Sequence, residues 1–213
     1  MRVGKLLVLL ALAAVVPACH DGRERPGPGR FVLFVEDFSS PTLSPAWIVD
    51  GSGTVAIDTL EGTPAPSVSL IPPNGPALAS LRLTTDPLFS TASPLTISVD
   101  VLLLEFPAPT GFGTGAVTLF DPAFPSVGAS VLLDAELGTI EFEIDGVLGP
   151  VVSDPGGWHQ VTFSVDAAGT ASWSLDGVVQ QVVTAFPIAD LALRLRNDSD
   201  SVFNFDSILV TSP

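Results

Sequence analysis

Three carboxylates at alternate positions, Glu141, Glu143 and Asp145, are the residues best spaced for acid–base chemistry. Ile140, Phe142 and Ile144 separate them, so an extended strand presents all three acids on one face. Residues two apart on a strand stand about 7 Å apart. Retaining cleavage of a glycosidic bond needs carboxyls about 5–5.5 Å apart, and inverting cleavage about 6.5–9.5 Å. The spacing therefore admits the inverting geometry. The competing reading is a solvated acidic strand face. Arg194 and Arg196 form a similar pair of polar-face residues. Beside the acidic strand they would make cross-strand ion pairs, each worth a fraction of a kcal/mol. Apart from it they would suit an acidic ligand.

The tryptophans are candidates for stacking on a sugar ring, because a flat apolar ring matches the face of a sugar. Trp173 shares parity with Ala171 and Leu175 and reads as core. Trp47 follows a proline-containing loop and reads as a plug at a sheet end. Trp158 shares parity with Gln160, Thr162 and Ser164, so it is the ligand-binding candidate of the three. The alternative is a strand-edge ring folded inward. His159 opens an apolar strand with no serine or cysteine nucleophile motif nearby, which fits a satisfied structural histidine better than a catalyst.

The text that must position these groups is β-strand text. Leu95 to Leu103, Thr139 to Asp145, His159 to Val165 and Asp190 to Arg196 all alternate apolar and polar residues. Each reads as a strand with one buried and one wet face, as antiparallel sheets allow. Asp145-Gly146 and Asp176-Gly177 are tight-turn dipeptides, and Asp166 to Gly169 and Asp154 to Gly157 are loops. Helix-period spacing never lasts two turns. About a dozen strands are expected, in two sheets of about six: an all-β, two-sheet antiparallel jelly-roll sandwich over residues 31–213.

The first 30 residues differ in kind. Arg2 and Lys5 precede an apolar stretch, Leu6 to Val16, which ends in Pro17-Ala18-Cys19. That stretch falls short of the roughly 20 residues that span a bilayer and reads as a secretory signal over residues 1–18. Residues 19–30 alternate proline and glycine with polar residues and read as a tether. Cleavage before Cys19 removes Arg2 and Lys5, leaving six basic residues, no lysine, and all 23 acids. A nucleic-acid binder would need a basic face, so nucleic acid is not an expected partner. Anionic membrane surfaces are disfavoured for the same reason. One cysteine allows no internal disulfide, so stability must come from the apolar core.

Met1 to Cys19 resembles a bacterial lipoprotein signal, in which the cysteine is lipidated and becomes the new N-terminus. The resemblance implies a membrane contact through the Cys19 lipid only. His20 stands where an Asp would retain some lipoproteins in the inner membrane, which implies an outer-membrane or cell-surface protein, or else a secreted one. Three further stretches resemble the concanavalin A-like sandwich superfamily, above all its laminin-G-like members: Glu36 to Trp47 (EDFSSPTLSPAW), Gly157 to Gly177 (GWHQVTFSVDAAGTASWSLDG) and Phe203 to Val210 (FNFDSILV). This superfamily hosts lectins, hydrolases and plain interaction modules. Its β-glucan hydrolases carry Glu, Asp and a second Glu on one strand. Matched to Glu143-Ile144-Asp145, the second Glu falls on Leu148, so the pattern is broken at its acid/base. The resemblance therefore implies a non-catalytic module binding a polysaccharide or glycan. The rivals are a hydrolase using Glu141, Glu143 and Asp145, and a structural or protein-adhesion module of the envelope. No cofactor is expected beyond at most one structural Ca2+. Some carbohydrate-binding sandwiches hold it between the first and last strands, where Glu36, Asp37 and Asp206 stand here.

Overall fold

Alternating side chains fold this chain into two pleated layers. The computed structural model describes residues 30–62, 66–71, 81–85, 88–103, 114–134, 136–154, 156–187, 189–199 and 202–213. The expected signal, Cys19 and the tether up to residue 29 lie outside the described residues.

Among the described residues sixteen strands follow in chain order: β1 (Phe31–Glu36), β2 (Trp47–Gly51), β3 (Thr54–Asp58), β4 (Ser67–Ile71), β5 (Leu81–Thr85), β6 (Phe89–Ser90), β7 (Leu95–Leu103), β8 (Thr114–Asp121), β9 (Phe124–Asp134), β10 (Thr139–Ile144), β11 (Val147–Ser153), β12 (Trp158–Val165), β13 (Ala171–Leu175), β14 (Val178–Val183), β15 (Asp190–Asn197) and β16 (Phe203–Ser212). The first sheet runs β14-β13-β12-β7-β16-β4-β3, with β1 also on β16. The second runs β11-β10-β9-β8-β15-β5-β2, with β6 also on β15. Every pairing is antiparallel.

The all-β sandwich is as expected, but each sheet has eight strands rather than about six. The excess comes from short partners sharing one neighbour. β4 pairs Phe203 to Phe205 of β16, and β1 pairs the far half of the same strand. Between them Ser207 takes a left-handed φ of 51° and the register slips. That bulge re-aims the strand so that Ile208 and Val210 rejoin the core.

The core is the inward set of each alternation. Ile97, Val99 and Val101 of β7, Val161 and Phe163 of β12, Ile140 and Phe142 of β10, and Leu193 and Leu195 of β15 are all buried. Burying such a side chain is worth about 1.5–3 kcal/mol. Trp173 packs on Phe163 with ring centroids 5.1 Å apart. Asp145-Gly146 and Asp176-Gly177 form tight turns with φ of 51° and 74°, and of 49° and 78°. Both central residues are left-handed, as the type I′ hairpin requires.

Glu36 to Trp47 closes one end of the sandwich. Glu36 Oε1 accepts the Phe38 N–H at 3.0 Å and Oε2 accepts the Trp47 Nε1–H at 3.1 Å. Phe38 stacks on the buried Trp47 ring. The first and last residues of that stretch thus meet, and Trp47 is the plug its sequence implies.

Candidate functional site

Registers across the second sheet determine which side chains share its outer face. One row runs Glu143 (β10), Ser130 (β9), Thr118 (β8), Arg194 (β15), Thr84 (β5) and Ile48 (β2). The adjacent row runs Glu141, Leu132, Ala116, Arg196, Arg82 and Asp50. Leu83, Leu193 and Leu195 point the other way, into the core. Arg82 and Arg196 are directly opposed, which puts their Cβ atoms about 4.5–5.5 Å apart. Arg194 stands two positions along, at about 7 Å.

Each arginine is held. The Arg194 guanidinium carbon lies 4.0 Å from the centre of the Phe120 ring. Its Nε–H donates to Thr84 Oγ1 at 3.2 Å. Desolvation lowers its affinity for the proton, and the charges of Arg82 and Arg196 lower it further. A guanidinium nevertheless stays charged in proteins. Arg196 Nε lies 2.7 Å from Asp198 Oδ2, an ion pair with both side chains about 30% exposed. Asp198 follows Asn197, whose Nδ2 crosses to the first sheet and donates to the Leu70 carbonyl at 2.8 Å. The basic strand is thereby pinned to the opposite layer.

The acids sit apart from this group. β8 and β9 separate β10 from β15, so Glu143 and Arg194 are three strand steps apart, about 14 Å. The expected ion pairs between Arg194 or Arg196 and the acidic strand are therefore not made. Glu143 accepts instead from Ser130 Oγ at 3.4 Å. Its carbonyl takes the Trp173 indole N–H at 3.2 Å through the core. Asp145 does not join Glu141 and Glu143 on the face. Alternation stops at Ile144, and Asp145 opens the turn in a left-handed conformation. A retaining or inverting pair would thus have to be Glu141 with Glu143. Leu148 is 76% exposed on β11, where the sequence pattern left no acid.

The other candidate residues scatter. Trp158 is half-buried on the outer face of the first sheet, opposite Leu102, so it lies on the far side of the sandwich from Arg194 and Arg196. His159 is buried between two carboxylates. Its Nδ1 meets Asp176 Oδ2 at 2.7 Å and its Nε2 meets Asp154 Oδ1 at 3.0 Å. An imidazolium donates to both; a neutral ring can donate to only one. The histidine is structural, as its setting in the sequence implies. Glu36 uses both carboxylate oxygens on Phe38 and Trp47, and Asp37 caps the Ser39 N–H at 3.0 Å. Asp206 is fully buried on the outer face of the first sheet, opposite Asp100, and accepts the Ser207 N–H. Glu36 faces Ile208 of β16, two residues beyond Asp206. Among the described residues no group of three or more His, Cys, Asp or Glu side chains is placed to hold a metal ion.

Arg82, Thr84, Thr118 and Phe120 are the residues that sequence reasoning missed. A signal for Arg82 did exist. Arg2, Lys5, Arg23, Arg25 and Arg30 precede the strands, so Arg82, Arg194 and Arg196 are the only basic residues among the remaining 183. All three fall on one face.

No known protein family matches this chain, and no curated protein does. Solved structures do. The Streptomyces sioyaensis endo-1,3-β-glucanase superposes with a TM-score of 0.62 at 15% identity, covering 90% of this chain and 100% of that one. The Emp47p carbohydrate recognition domain gives 0.59 at 11%, covering 84% and 94%. The Bacillus licheniformis β-glucanase gives 0.56 at 12%, covering 83% and 96%. The chain has the concanavalin A-like sandwich fold shared by such glucanases and lectins. Identities this low define the fold and leave binder and enzyme undivided.

Proposed function

We propose that this is a non-catalytic glycan-binding module displayed outside the cytoplasm. The observation that carries the reading is the outer face of the second sheet. It is six strands wide from β10 to β2 and lines up hydroxyls, guanidinium groups and carboxylates in two adjacent rows, with Ile48, Leu132 and Ala116 among them. Such a face can donate to and accept from the many hydroxyls of a polysaccharide. Structural neighbours named as glucanases and a carbohydrate recognition domain support a saccharide ligand. Affinity electrophoresis of the purified protein through neutral and acidic polysaccharides, with and without Ca2+, tests it. Retardation by at least one polysaccharide is expected. Uniform migration in all of them ends the reading.

A second reading, hydrolysis, has one observation in its favour: Glu141 and Glu143 share this face at the spacing of an inverting pair. Release of reducing ends, abolished in Glu143→Gln, would establish it. Export rests on the lipoprotein-like N-terminus. Labelled fatty acid is expected to enter the wild type and not Cys19→Ala. Equal labelling of both, or of neither, removes the lipid anchor.

A further inference from the structure

We infer that β1 is a lipid-docking edge: Phe31, Val32, Leu33 and Val35 seat the domain on the uncharged interface of the membrane that holds the Cys19 lipid. This rests on the lipid anchor of the export reading and adds to it a second, weaker contact.

Exposure is the first ground. Phe31 is 69% exposed, Val32 50%, Leu33 47% and Val35 63%. A single exposed apolar side chain needs no explanation; four within five positions do. They are not free to fold back into the core. Phe34, between them, packs its ring edge-on against Trp47 and Phe89 with centroids 5.8 and 5.9 Å apart. Glu36 at the strand end bonds to Phe38 and Trp47. The exposed residues are thus presented by a fixed strand.

Place in the chain is the second ground. Phe31 follows Cys19 by 12 residues, a reach of at most about 40 Å. A lipid on Cys19 therefore confines β1 near the bilayer, where its high local concentration lets a weak apolar contact suffice. Charge falls the same way. Residues 20–30 hold three arginines and two acids, whereas residues 31–213 hold three arginines and 21 acids. Approach through β1 brings the least acidic part of the chain to the membrane and keeps the rest away.

The backbone of β1 favours lipid over a second copy of the chain. β1 pairs with β16, and among the described residues no strand pairs with its other edge. Its register slips between Val32 and Phe34, with Leu33 at the irregularity. Such a bulge breaks the ladder that an added strand would need. Two copies this acidic also repel. A lipid interface needs no register. The open N–H and C=O groups stay at the headgroup boundary, where water reaches them, while the side chains dip toward the acyl chains.

The test is flotation of the purified chain, with its signal removed and no lipid attached, on phosphatidylcholine vesicles. Binding that persists in about 0.5 M NaCl is expected, because the contact is apolar. Phe31→Ser/Val35→Ser is expected to lose at least fivefold with an unchanged melting temperature. Phe31→Trp, whose ring suits the interface better, is expected to bind at least twofold more tightly. Val178→Ser/Val179→Ser removes equally exposed valines from β14 and should bind as the wild type does. Absence of flotation overturns this inference and leaves the anchor. Equal loss in the β1 and β14 variants overturns it as general apolar adsorption. A sedimenting dimer that Phe31→Ser/Val35→Ser dissociates assigns the strand to a second copy and overturns it as well. Absence of fatty-acid labelling at Cys19 overturns instead the anchor on which the seating rests.

Discussion

On the outer face of the first sheet, hydroxyls bond to hydroxyls; on that of the second, guanidinium groups crowd one another. Ser98 and Thr162 meet across β7 and β12 at 3.0 Å, and Ser164 donates to Thr96 at 3.5 Å. Thr96, Ser164, Ser172 and Thr211 line a groove of about 480 Å³ on that face, together with Arg30 and Asp166. Alternation built both faces, because every strand that buries one parity must expose the other. The difference is whether the exposed groups satisfy each other. A hydroxyl both donates and accepts, so a ladder of them closes on itself. Guanidinium groups only donate, so Arg194 and Arg196 depend on acceptors of another kind, the Thr84 hydroxyl and the Asp198 carboxylate.

The largest effect expected tests what both faces share. Trp173 belongs to the first sheet, yet its indole N–H reaches the Glu143 backbone in the second. It is fully buried against Phe163. Trp173→Ala should cost about 3–5 kcal/mol in denaturant unfolding, through lost burial and the cavity left behind. A loss below about 1 kcal/mol would mean that the two layers do not depend on this contact. Trp173→Phe keeps most of the volume and removes the bond, so a loss nearer 1 kcal/mol is expected.

A middle-sized effect is expected at His159. It ties the loop at Asp154 to the β13–β14 turn at Asp176, a strut beneath the first sheet with no counterpart on the arginine face. His159→Ala leaves the nearly buried Asp154 carboxylate without this partner. The expected cost is about 1–3 kcal/mol with polysaccharide binding unchanged. A binding defect in this variant, at full folding, would move the ligand to the first sheet.

How much of this was legible beforehand depends on range. β7, β10, β12 and β15 read directly from alternation, because each is continuous and bounded by turns. β9 and β11 did not, because Pro125, Gly128, Gly149 and Pro150 interrupt their text as loops do. Gly128 is required by its neighbour: a Cβ there would stand 2.0 Å from the Leu119 carbonyl oxygen. The candidate site was half legible. Arg194 and Arg196 stood out through local spacing. Arg82 joins them through a register more than 100 residues distant, which no local pattern contains. Asp145 misled for the converse reason: parity counts residues and does not see where the chain turns.

A smaller effect sharpens the contrast between the faces. Ser98→Ala/Thr162→Val removes both partners of one hydroxyl bond, so stability should change by less than about 1 kcal/mol and binding not at all. Arg196→Gln breaks a partly exposed ion pair, worth about 0–1 kcal/mol, and relieves repulsion from Arg82. Melting curves of these variants should therefore nearly coincide, while polysaccharide titrations separate them. Coincident titrations as well would show the two faces to be equally inert.

The smallest effect lies at the rim of the first sheet and depends on acidity. Asp58 ends β3 and accepts the Leu60 and Glu61 N–H groups at 2.9 and 3.2 Å, with Ser69 Oγ at 3.4 Å. The Leu60 bond above all holds its carboxyl below the ordinary 3.8, against a weaker opposing effect of burial. A lowered folded value means that the ionised form is favoured by folding. Its contribution is complete above the unfolded value and fades as pH falls through the folded one. Asp58→Asn cannot ionise, so its melting temperature should lie below that of the wild type near pH 6, and the gap should close on acidification to about pH 2. A gap that stays constant across that range would show that the loop is held by the shape of the turn and not by its charge.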